Sequence, residues 1–211
     1  MLSLASILLL GFVLGMRHAT DPDHVVAVTT IVSDERSLWR ASSIGAVWGV
    51  GHSITILAVG GAIVIFRLVI PPRLGLVLEF CVAIMLILLG MWTLSGRRVG
   101  SASNMARPLL VGIVHGLAGS AFVALLVLAA VPGAILQLLY LALFAAGTIG
   151  GMALITIVVA LPSAVTARRF VRAQRYLRVA SGLASLVFGI VLVQRGVSHG
   201  LFDAVPHWTP Q

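Results

Sequence analysis

The chain has a single cysteine, Cys81, no lysine, and only six acidic residues in 211 positions. One thiol excludes an internal disulfide, a CxxC redox pair and a metal site built from several thiolates. Within an apolar run, Cys81 reads as a small packing residue in a helix. No G-x-x-x-x-G-K-[ST] phosphate loop occurs, so any ATP drive would need a partner chain. No His-Glu-x-x-His occurs either. Charged residues make up 9% of the chain, against about 25% in soluble domains. With 60% hydrophobic residues and a mean hydropathy of +1.12, the balance is that of a membrane protein.

The formal charge of +8 resembles a nucleic-acid signature only until the arginines are located. Ten of them (Arg36, Arg40, Arg97, Arg98, Arg107, Arg168, Arg169, Arg172, Arg175 and Arg178) fall in or beside alternate connections between apolar runs. Arg67, Arg73 and Arg195 fall on the other side. Positive charge stays cytoplasmic. The loops at 33–41, 96–108 and 162–175 are therefore predicted to be cytoplasmic and both termini outside, with no nucleic-acid partner.

Six runs, near 2–32, 42–66, 74–95, 109–131, 134–161 and 176–196, are long enough to cross a hydrocarbon core, which takes about 20 helical residues. The expectation is an all-α membrane protein of six transmembrane helices. It forms one transmembrane domain over 1–211, with a loosely ordered tail over 197–211. The first run has no basic stretch ahead of its apolar core and resumes after His24, so it reads as a retained helix and not a signal peptide. Pro22 inside it removes a backbone donor and predicts a kink or break.

The two halves resemble each other. Gly15-Met-Arg-His18 matches Gly112-Ile-Val-His115 at an offset of 97, Gly51 matches Gly147 at 96, and Gly90 matches Gly189 at 99. A three-helix unit used twice, over about 1–96 and 107–196, must insert its second copy upside down. The result would be an inverted repeat of the kind common in secondary transporters. Gly11-x3-Gly15, Gly45-x3-Gly49, Gly112-x3-Gly116 and Gly147-x3-Gly151 predict close helix contacts.

The first run also carries Arg17-His18-Ala-Thr20-Asp21-Pro-Asp23-His24. Ionisable groups at bilayer depth are costly and mark pathways for ions, protons or substrate. Imidazole with carboxylate suits first-row divalent transition metals. His18, Asp23 and His24 are candidate metal ligands that a kink at Pro22 would gather at one point. Asp21, about 60° from His18 on a helix, is either a further ligand or the partner of Arg17 at i,i+4 spacing. His52 and His115, in the second and fourth runs, would complete the set. Thr20, Ser53 and Ser120 are candidate donors that fix the imidazole rings, with Arg17 beside them. Glu79 reads as an interfacial charge and not a ligand.

His18-x4-Asp23-His24, preceded by Gly-Met-Arg and followed by Val-Val-Ala-Val, resembles the His-x4-Asp-His signature of the nickel/cobalt transporter family. Gly51-His52-Ser53 is similar to that family's second motif. The resemblance implies a permease moving Ni²⁺ or Co²⁺ across the cytoplasmic membrane, with the first-motif histidines and aspartate essential. It implies neither an enzymatic activity nor a prosthetic group. Longer members have eight spans and acidic motifs in later helices. Here the corresponding places read His115-Gly-Leu-Ala-Gly-Ser120 and Gly147-Thr148-Ile-Gly-Gly. The chain thus resembles the compact six-span branch associated with urease or hydrogenase maturation.

Two other readings stand beside this one. A small-anion exporter, for sulfite for example, would need buried cations, and only Arg17 is available. An intramembrane hydrolase would pair Ser53 or Ser120 with a histidine. The expected partners are the metal ion and membrane lipid, with room for a homo-oligomer.

Overall fold

The computed structural model describes residues 4–33, 35–67, 72–96, 105–116, 128, 130–166, 171–199 and 201. Among them the regular elements are all helical: α1 (Leu4–His18), α2 (Pro22–Val32), α3 (Leu38–Phe66), α4 (Pro72–Leu94), α5 (Ala106–Gly116), α6 (Ala134–Thr166) and α7 (Val171–Ser198). Four helices, α3, α4, α6 and α7, are long and apolar enough to cross a membrane, and α1 with α2 makes a fifth candidate span, bent by 54°. Of the run expected at 109–131, α5 covers the beginning, and residues 117–127 and 129 lie outside the described residues. So do the arginine-bearing segments 97–104 and 167–170, Ser120, and the tail over 202–211.

The break between α1 and α2 follows from Pro22. A residue before proline is pushed out of the helical region, and Asp21 has φ −60° and ψ 144°. The end of α1 tightens as Thr20 N donates to Arg17 O and Asp21 N donates to His18 O. Pro22 then opens α2, where its missing N–H removes no helical bond.

Glycines set the helix spacing. An added Cβ would press Gly15 onto Phe144 O and Thr148 N, and Gly112 onto Trp48 O and His52 N. Likewise Gly147 lies on Phe12 O and Met16 N, and Gly51 on Leu109 O and Ile113 N. Between α4 and α7, Gly90 meets Gly182 O and Leu186 N while Gly189 meets Ala83 O and Ile87 N. Each contact has its counterpart at the sequence offsets of 96, 97 or 99. All eight glycines of the four Gly-x3-Gly pairs would bring an added Cβ within 3.0 Å of a neighbouring helix.

These contacts also fix helix direction. Along α1 and α6, Gly11 meets Tyr140 and Gly15 meets Phe144; along α3 and α5, Trp48 meets Gly112 and Thr55 meets Gly116. Both pairs are parallel. By contrast α3 and α6 are antiparallel, with Gly45 on Thr156 and Gly60 on Leu141. It follows that α1 and α5 run in opposite directions, and both bring a histidine, His18 and His115, beside His52 in the middle of α3.

The outer surface is apolar, with Leu9, Ile65, Ile135, Leu154 and Val187 exposed, whereas His24, His52, His115, Thr148, Thr156 and Ser185 are buried. That inversion suits a lipid solvent. Cys81 corrects the expectation of a packed thiol: it lies exposed on α4. Glu79, on the same helix, is exposed too.

A Cβ at Gly90 would stand 2.7 Å from Gly182 O, whereas Gly61, also buried, has nothing within 4 Å. Gly90→Ala is expected to cost about 1–3 kcal/mol through overpacking. Gly61→Ala should hold or slightly raise stability through helix propensity. Thermal unfolding midpoints of the two variants in detergent check the contrast.

Candidate metal centre

Four imidazoles converge where α1, α2, α3 and α5 meet. His18 is the last residue of α1, Asp23 and His24 lie in the first turn of α2, His52 sits in mid-α3, and His115 is next to last in α5. Ring centroids are 4.6 Å apart for His18 and His24, 5.1 Å for His18 and His52, 5.0 Å for His24 and His52, and 4.3 Å for His24 and His115. On an unbroken helix His24 would lie about 120° round from His18. The turn at Pro22 brings their rings edge to face.

Hydrogen bonds orient part of the cluster. His18 Nδ1 lies 2.8 Å from Asp21 Oδ2, and His18 Nε2 lies 3.0 Å from His52 Nε2. His115 Nε2 lies 3.0 Å from Asp23 Oδ2. Asp23 Oδ1 stands 3.5 Å from His24 Nδ1, near enough for attraction but without a hydrogen bond. Asp21 occupies the N-cap position of α2 yet makes no capping bond. Its carboxylate faces His18 instead. Arg17, which the i,i+4 spacing offered as the partner of Asp21, is exposed.

Both ring nitrogens of His24, together with His52 Nδ1 and His115 Nδ1, are buried with no hydrogen-bond partner. A buried polar group without a partner costs about 1–3 kcal/mol. These nitrogens belong to three rings of the centre, and an ion or ordered water would satisfy those that face it; His24, whose two nitrogens point apart, can give a single ion only one. His18, His24 and His52 offer donor atoms all within 4.8 Å of one another, as do Asp23, His24 and His115. Neutral nitrogens and a carboxylate are the donor types that divalent transition metals take.

The three expected ring-fixing donors fare differently. Ser53 Oγ donates to Ala145 O at 3.2 Å, tying α3 to α6. Thr20 Oγ1 donates to Arg17 O at 2.6 Å and closes the end of α1. Ser120 lies outside the described residues. Two aromatic walls escaped the sequence reading: Phe144 lies 5.4 Å from His18, and Trp48 lies 5.5 Å from His24 and 5.7 Å from His115. Their signal was present in the repeat, since Trp48 and Phe144 are separated by the same 96 positions as Gly51 and Gly147.

Membrane-length apolar helices closing on a buried histidine and aspartate cluster define the class: a helical membrane-type protein with a polar centre. Urease accessory protein UreH of Bacillus sp. (strain TB-90) is 38% identical to the chain over 219 residues, covering 94% of the chain and 96% of that protein. The chain belongs to the family of urease accessory protein UreH. It is also 24% identical over 208 residues to the chloroplast protein FOR GROWTH AND FERTILITY 2 of Arabidopsis thaliana, covering 87% of the chain and 55% of that protein. The chain thus spans about half the length of the plant protein. No family model and no solved structure matches it.

With its hydroxyl on a backbone carbonyl, Ser53 acts as a strut between helices. Ser53→Ala is expected to lower stability by about 1 kcal/mol. Chemical or thermal unfolding in detergent measures it.

Proposed function

We propose that the chain is a secondary permease carrying a divalent transition-metal cation, Ni²⁺ or Co²⁺, across the cytoplasmic membrane. The observation that carries this reading is the convergence of four imidazoles and two carboxylates inside an apolar helix assembly, with four imidazole nitrogens left without partners. The family adds weight. Urease is a nickel enzyme, and a urease accessory protein with this centre is suited to supplying its metal. His18, Asp23, His24, His52 and His115 would bind the ion, with Asp21 steadying His18.

Six spans in two inverted three-helix halves fit the reciprocal glycine contacts and the opposed directions of α1 and α5. Rocking of one half against the other would open the site to each face in turn. With the termini outside and the arginine-rich loops in the cytoplasm, an inward-moving divalent ion gains about 4.6 kcal/mol per 100 mV of membrane potential. The competing readings have less support. An anion exporter needs a buried cation, and Arg17 is exposed. A Ser53–histidine dyad needs a hydroxyl that faces a ring, and Ser53 faces Ala145.

The test is uptake of Ni²⁺, Co²⁺, Zn²⁺ and Mn²⁺ into proteoliposomes in parallel, with sulfite as the anion control. Ni²⁺ or Co²⁺ uptake is expected to fall at least about 100-fold in His24→Ala, since losing even an outer partner of a metal ligand costs about 10–100-fold. Sulfite flux that ignores all four metals and collapses in Arg17→Ala would overturn the permease assignment.

A further inference from the structure

The ligand candidates do not merge into one set. One triad is His18, His24 and His52; the other is Asp23, His24 and His115; within each, donor atoms lie within 4.8 Å of one another. His24 alone belongs to both. The rings repeat the division, with His24 within 5.0 Å of every other imidazole and His52 5.9 Å from His115. A cation with bonds of about 2.1 Å holds its donors at most about 4.2 Å apart, so small side-chain rotations complete either triad.

The triads differ in chemistry and in position. The first is all imidazole, and its His18 is fixed by Asp21, whose side chain is 34% exposed. The second includes a carboxylate, Asp23, that is 15% exposed. His18 lies on α1 and His115 on α5, and these helices reach the centre from opposite directions. Each triad therefore draws one ligand from a different one of these two helices. Phe144 lies against His18 of the first triad, and Trp48 against both His24 and His115 of the second. His24, between the two, has both ring nitrogens free of hydrogen bonds.

We propose that the centre comprises two overlapping cation stations, His18/His24/His52 and Asp23/His24/His115, and that His24 hands the ion from one to the other. The proposal rests on the permease reading above and adds to it the path of the ion within the centre. Transport requires binding strong enough to admit the ion and weak enough to release it, a balance that several partial sites achieve better than one saturated site. Three protein donors leave coordination positions open. Keeping His24 bound while the other two donors exchange means the ion is never stripped bare.

The stations share His24, so they hold one ion at a time, and spectroscopy separates them. The purified full-length chain in detergent is titrated with Co²⁺, whose d–d absorption reports the donor set, and Ni²⁺ flux is followed in proteoliposomes. His52→Gln and His115→Gln are each expected to retain Co²⁺ binding within about tenfold of the parent, with two different spectra. The parent spectrum should be a mixture of these two. His24→Gln should weaken binding at least about 100-fold, and all three variants should lose at least about tenfold in Ni²⁺ flux. Asp23→Asn, close in shape, guards against misfolding of the histidine variants. It should remove the carboxylate component and leave the all-imidazole spectrum. If His52→Gln, His115→Gln and Asp23→Asn each abolish Co²⁺ binding to a folded chain, the donors form one site and the two-station proposal is overturned, with the permease reading intact. A parent chain that neither binds nor moves divalent ions overturns that reading as well.

Discussion

Pro22 has no N–H to give a helix, and it holds Asp21 in an extended conformation that α1 cannot continue through. The centre depends on that constraint. The 54° turn carries Asp23 and His24 back over the end of α1, so that residues spread around a straight helix face one point. It also frees the Asp21 carboxylate from its usual capping duty and places it on His18 Nδ1. That contact turns His18 Nε2 inward, where it meets His52. A ligand ring held through its other nitrogen keeps its orientation and gains basicity.

A turn alone would not hold four imidazoles together against their own solvation. Glycine contacts supply the rigidity. The helix α3, which carries His52, is pressed on one side by α5 through Gly112 and Gly116 and on another by α6 through Gly45 and Gly49. Where backbone touches backbone there is little room for a helix to slide, and sites built on such elements are held more tightly than sites on loops. The cluster thus leaves four imidazole nitrogens without partners because the surrounding helices leave little room to bury them elsewhere.

Much of this was legible in the sequence, and the omissions have physical reasons. The break was readable because proline acts locally. The convergence of His18 and His24 followed from the break, and the Gly-x3-Gly pairs announced close contacts that the helices make. Asp21 was undecided between Arg17 and the centre because helical spacing offers both, and only the end of α1 at His18 removes the i,i+4 geometry. Ser53 was misplaced as a ring donor because a hydroxyl one residue from a histidine lies about 100° round the helix, facing α6 and Ala145. Trp48 and Phe144 went unnoticed because aromatic residues in apolar runs carry no local mark. Cys81 read only as a small packing residue because periodicity is silent in a helix apolar on every side, so the run cannot tell a face toward protein from a face toward lipid.

The helix end and the side chains at the centre bear on which sign of charge it prefers. Helix C-termini carry partial negative charge, and cations near them are stabilised by about 0.3–1 kcal/mol each at exposed sites and more where partly buried. Here the end of α1 lies at a cluster that already contains Asp21 and Asp23, while the first turn of α2 brings a helix N-terminus of opposite sign to the same place. Arg17, next to His18 in sequence, is exposed. Among the described residues the side-chain charges gathered at this point are both negative, and each imidazole adds a lone pair when neutral. An anion placed there would meet repulsion from both carboxylates, which the N-terminus of α2 offsets only in part, and Arg17 is exposed. A divalent cation would meet attraction from both carboxylates and from the imidazole lone pairs, so the preference comes from the side chains that the break at Pro22 gathers.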